Sequence, residues 1–115
     1  MAAVVNFAQP FPAISTQTLA ITATPGGTQA AGVQLTSRYN RVSVCATGGD
    51  SVVLPPLVPD LIIVVANDGA AACNVFPFLG QSIGTGAANA AFSVTIAKPC
   101  MFIGTPDRWQ PILSA

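Results

Sequence analysis

Few side chains in this chain could do chemistry: three cysteines (Cys45, Cys73, Cys100), four aspartates (Asp50, Asp60, Asp68, Asp107) and scattered hydroxyls, with no histidine and no glutamate. Nucleophilic catalysis needs a nucleophile beside a base poised near neutral pH, usually histidine. Ser-His-Asp and Cys-His schemes are therefore excluded. A glycosidase-type carboxylate pair would have to come from the aspartates alone. These adjoin Gly or Pro, where Asp forms turns by bonding its own backbone. The cysteines form no C-x-x-C pair, and zinc needs four donors at characteristic spacings, so no metal site is expected. Calcium would need several carboxylates on one loop, and no such loop exists. Each cysteine lies in or beside an apolar run, where a free thiol behaves as a small hydrophobe. A disulfide joining two of them and leaving one over also fits the count; the free reading implies a reducing compartment.

Two further features bear on binding. Gly80-Gln81-Ser82-Ile83-Gly84-Thr85-Gly86 resembles a phosphate loop only superficially, because the Lys-Ser/Thr of a P-loop is missing and no helix pattern follows. A mobile, small-residue connection between strands is expected there. Tyr39 and Trp109 could stack on a sugar ring, or Trp109 could instead anchor the last strand by packing. No catalytic residue, cofactor or metal is assigned, and the chain is expected not to be an enzyme.

The composition limits the partners. The 115 residues suffice for one domain with a real core. Hydrophobic residues make up 51% and charged residues 7%, with zero formal net charge. A chain with so little charge is poorly protected against association, which predicts an oligomer or a subunit of a larger assembly. Arg38, Arg41, Lys98 and Arg108 are too scattered to form the basic stripe that nucleic acid requires. Pro55, Pro56, Pro59 and Asp60 break the longest apolar candidate for a membrane span, Val52 to Ala66. No Lys/Arg-led segment opens the chain as a secretory signal would.

The elements that must position these residues read as strands. Arg41 to Ala46 predicts a half-buried strand with Val42, Val44 and Ala46 on one face, and Phe92 to Ile96 alternates likewise. Thr18–Thr24, Gly32–Thr36, Ser51–Leu54, Cys100–Ile103 and Trp109–Leu113 add short strand-like runs separated by turns such as Pro25-Gly26-Gly27. Leu61–Ala66 and Cys73–Pro77, linked through Asn67-Asp68-Gly69, read as an antiparallel pair. Pro55 to Asp60 reads as a stiff crossing connection. No helical period appears. The expected fold is all-β, an antiparallel sandwich of jelly-roll type over residues 17–115, preceded by an extended arm over residues 1–16. Pro10 and Pro12 disfavour a regular element in the arm, while Phe7, Phe11 and Ile14 need cover from a neighbouring subunit or from the arm's own domain.

Several of these residues also resemble a recurrent module of tailed-bacteriophage virion proteins. The likeness runs through Val52-Val53-Leu54-Pro55, Ile62 to Ala70 with Asn67-Asp68-Gly69, Val75-Phe76-Pro77-x-x-Gly80-x-x-Ile83, Gly86-Ala87-Ala88-Asn89 and Trp109, over roughly residues 51–110. The chain departs from it at Pro55-Pro56-Leu57-Val58-Pro59, where many relatives carry a small Ala/Gly linker. The resemblance implies a non-enzymatic structural protein made in the host cytoplasm and carried on the virion. It would be a capsid decoration (cement) protein that bridges major capsid subunits, working as a homotrimer or homodimer. The expected partner contacts are Phe7, Pro10, Phe11 and Pro12. The alternative is a head- or tail-fibre domain binding a host receptor or glycan through Tyr39 and Trp109.

Overall fold

A computed structural model describes residues 16–113. The expected arm contacts Phe7, Pro10, Phe11 and Pro12 lie outside the described residues. Within them the chain forms β1 (Gln17–Thr22), β2 (Val33–Gln34), β3 (Tyr39–Val44), β4 (Ser51–Val53), β5 (Ile62–Asn67), β6 (Cys73–Phe76), β7 (Phe92–Val94), β8 (Lys98–Gly104) and β9 (Trp109–Leu113). The fold is all-β, with no helix among the described residues. A five-stranded sheet has the order β1-β3-β5-β8-β9, and a four-stranded sheet has the order β2-β4-β6-β7.

Both sheets are mixed, which corrects the antiparallel expectation. From β1 to β6 the chain changes sheet at every strand, so each strand returns beside, and parallel to, the one two before it. Parallel neighbours need a long crossover, commonly a helix; here the crossover is a strand of the opposite sheet. The result is a coil, not the Greek-key path of a jelly roll. Only the last third is antiparallel: β7 pairs with β6, and β8 is placed between β5 and β9. The expected β5–β6 hairpin is likewise corrected, because the two strands belong to different sheets.

Asn67 explains that corner. Its amide nitrogen donates to the carbonyls of Ala71 (2.8 Å) and Val94 (3.0 Å), and its carbonyl oxygen accepts the Gly69 N–H (2.9 Å). The chain thus turns away from the sheet of β5 and hands β6 to the other sheet. Gly69 is required by close approach, since a Cβ there would come within 2.5 Å of the Cys45 nitrogen. The Pro-rich stretch acts as the expected connection, carrying the chain from β4 to β5 without forming a strand.

One apolar cluster draws on both sheets. Val42, Ile63, Val65, Phe102 and Trp109 come from the larger, and Val52, Val75 and Val94 from the smaller. Phe102 meets Phe92 edge to face, with ring centroids 5.7 Å apart. The face expected of β3 is only partly right. Ile21 pairs with Val42 but Thr22 pairs with Val44, so Ser43 is an extra residue on β3. Such a bulge reverses the side chains beyond it. Val44 therefore turns out to solvent, and Cys45 takes the buried position.

Candidate functional site

The chemically capable residues do not converge. Asp50 is buried and accepts the Thr47 N–H (3.3 Å), Asp60 holds a turn with φ of 69°, and Asp107 accepts the Thr105 hydroxyl (2.9 Å). Asp68 lies 3.7 Å from Arg41, with both side chains well exposed. No three metal-ligating side chains cluster among the described residues. No helix among them is long and apolar enough to cross a membrane.

All three cysteines are free and buried. Burial pushes the Cys73 thiol up to about 12, assisted by neighbouring Cys45 and Asp50, and it pushes Cys100 up to about 11. Cys45 is raised too, again chiefly by burial and then by Asp50. Its thiol donates to the Ala72 carbonyl at 3.4 Å. These thiols stay protonated near neutral pH, which is the unreactive form.

The Gly80–Gly86 loop is tied down rather than left loose, contrary to expectation. Trp109 N–H donates to Ser82 O (3.0 Å), Gly84 N–H donates to Trp109 O (2.7 Å), and Ile83 is buried between them. Asn89 takes the Gly80 N–H on its side-chain oxygen (2.6 Å), and Gln81 takes the Leu57 N–H (2.9 Å). These bonds also cover the outer edge of β9 at Trp109. Two residues further on, Pro111 has no N–H to offer another strand, a device common on edge strands.

Tyr39 and Trp109 lie in the same sheet but do not form a common platform. Trp109 is fully buried on the core face. Tyr39 pairs through Val64 and Met101 to Ile112, a row on the opposite face, and the Arg41 guanidinium stands 5.8 Å from its ring centroid. Trp109 therefore anchors the last strand, and its ring is closed to a sugar.

The outer face of the five-stranded sheet is the feature that sequence reading missed. Paired residues share a face, so the row Gln17-Tyr39-Val64-Met101-Ile112 runs across all five strands. Beside it runs Ile62-Ile103-Gln110. Ile62 and Met101 are each 38% exposed and Ile112 is 50% exposed; Leu19 and Val44 on β1 and β3 are similarly open. Most of the face is thus apolar, with the Arg41–Asp68 pair near β3 as its charged feature. A signal for it was present in the sequence. Leu61 to Ala66 is apolar without alternation, the pattern of a strand that needs cover on both faces. A second apolar projection, Phe78 and Leu79, borders a cleft of about 340 Å³ beside Gln29, Gln34 and Val53. Leu79 is 74% exposed.

Comparison with known proteins yields no match to a family model, a curated protein or a solved structure.

Proposed function

We propose that this chain is a non-enzymatic structural subunit, a capsid decoration protein that stabilises a phage head by bridging major capsid subunits. Its two sheets would pack as a sandwich, a reading supported by the single apolar cluster that draws on both. The observation that carries the functional reading is the surface. Among the described residues, nine large apolar side chains are more than a third exposed, on a chain in which charged residues are only 7%. Those on the outer face of the five-stranded sheet and the separate Phe78–Leu79 projection are apolar patches of the kind at which another protein binds. The resemblance of residues 51–110 to tailed-phage virion modules suggests the kind of partner. Burial of the Phe78–Leu79 projection against a capsid subunit would provide about 25 cal/mol per Å² removed from water, before ordering costs. The fibre reading finds less support, because Trp109 is buried and faces away from Tyr39.

The test is co-sedimentation of the full chain with undecorated heads of the phage that encodes it. Saturable binding, weakened about tenfold or more by Leu79→Asp, is the expected result for an apolar anchor at the interface. Absence of binding at any concentration would overturn the proposal.

A further inference from the structure

We infer that the outer face of the five-stranded sheet receives residues 1–15 of a second copy of this chain. The face asks for a particular occupant. Tyr39, Val64, Met101, Ile112, Ile62 and Ile103 form an apolar band across β3, β5, β8 and β9. A charged occupant would lose hydration against such a band without finding partners. Met1 to Ser15 reads MAAVVNFAQPFPAIS: it contains Val4, Val5, Phe7, Phe11 and Ile14 and no charged side chain. Pro10 and Pro12 favour an extended backbone, a form that can lie across a sheet without adding a layer of its own.

The point of attachment favours exchange between copies. Thr16 continues the pairing of β1: its carbonyl accepts the Tyr39 N–H (3.1 Å) and its hydroxyl accepts the Arg38 N–H (3.0 Å). The preceding chain therefore starts from the margin of the sheet, at an edge strand, beyond Gln17 in the apolar row. To cover its own face it would have to turn across the sheet just before Thr16, with only Pro12 and Ser15 nearby as turn formers, whereas the extended backbone favoured by Pro10 and Pro12 leads off the edge. Fifteen extended residues reach up to ~50 Å. Five strands span only ~19 Å at their usual spacing, so an arm can leave one copy and still cross the face of another. Mutual exchange about a two-fold axis would cover both faces and close the assembly. This inference concerns contact between copies and does not depend on capsid binding.

Sedimentation velocity on the full chain, over a wide concentration range, tests it with two variants. Phe11→Asp alters the arm. Ile112→Asp alters the face at a half-exposed position, where the fold of the single chain should persist; circular dichroism checks this. The wild type is expected to self-associate, and each variant to do so about tenfold or more weakly. Mixing the two variants supplies one intact arm and one intact face, so a two-chain species should return that neither variant forms alone. A wild type that stays monomeric would overturn the inference, as an arm folded on its own chain predicts. Self-association lost in Ile112→Asp but kept in Phe11→Asp would overturn it in favour of direct face-to-face contact. Failure of the mixture to recover would also refute exchange. Because no capsid enters these measurements, their failure is distinguishable from failure of the proposed function.

Discussion

Replacing Asn67 with alanine should destabilise the protein more than any surface change, although it removes a polar side chain from an apolar protein. The side chain is fully buried and makes three hydrogen bonds: to the Gly69 N–H, the Ala71 carbonyl and the Val94 carbonyl. Alanine leaves those three backbone groups without their partner. Gly69 and Val94 are buried, and an abandoned buried group costs about 1–3 kcal/mol. Ala71 is only half-buried, so water can replace much of that bond. The expected loss is therefore about 2–6 kcal/mol, a large part of the roughly 5–15 kcal/mol that a domain of this kind has. Urea unfolding of Asn67→Ala, with the exposed Gln110→Ala as control, measures it directly; the control should stay within about 0.5 kcal/mol. Asn67→Asp adds a sign. It keeps the acceptor for Gly69 but turns a carboxylate oxygen toward two carbonyls, so its folded pKa should lie above the unfolded value of about 3.9. Its stability should then be greatest below that value and fall as pH rises through the folded pKa. An Asn67→Ala loss under about 1 kcal/mol at unchanged urea dependence would refute the corner as an organising element.

The thiols should be silent toward an aromatic disulfide reagent in the native protein, and all three should react once it is unfolded, because burial keeps them protonated. Their raised pKa values also give a pH dependence. The unfolded thiols lose protons above about 8.5, whereas Cys100 holds its proton to about 11 and Cys73 to about 12. Stability contributed by burying them is thus complete below the unfolded pKa and declines as pH rises toward the folded values, which thermal melts from neutral to alkaline pH would reveal. Phe102→Ala removes a fully buried ring and its edge-to-face contact with Phe92, so it should cost about 3–5 kcal/mol in the same urea assay.

Local strand structure was readable from the sequence, and strand partnership was not. Phe92 to Ile96 alternates as a half-buried strand should, but β7 takes only Phe92–Val94 and Ile96 beyond it is exposed. The runs around Val42, Val52, Val65 and Phe102 likewise became strands. Asn-Asp-Gly after an apolar run signals a turn, yet whether the turn makes a hairpin or a change of sheet depends on what Asn67 bonds. One of its partners, Val94, is far along the chain. Val44 was misassigned for a related reason. Period two carries no information about the extra residue at Ser43, which exists only in relation to β1. The aromatic pair shows the same limit: Tyr39 and Trp109 look equivalent as residues, but pleat and register put them on opposite sides of one sheet.

The coil and the apolar outer face are physically connected. A parallel strand in the middle of a sheet is normally covered on both sides by other elements of its own chain. Among the described residues the cover is one-sided: the inward side chains join the apolar cluster that draws on both sheets, while Ile62, Met101 and Ile112 on the other face stay exposed. β5 nevertheless has the composition of a doubly covered strand: Ile63 and Val65 point inward, while Ile62 and Val64 point outward. A stable monomer would gain from polar residues at Ile62, Val64, Met101 and Ile112, and such residues would still satisfy period two. Under the inferred exchange, that apolar face would be covered by residues 1–15 of a second copy, which carry no charged side chain.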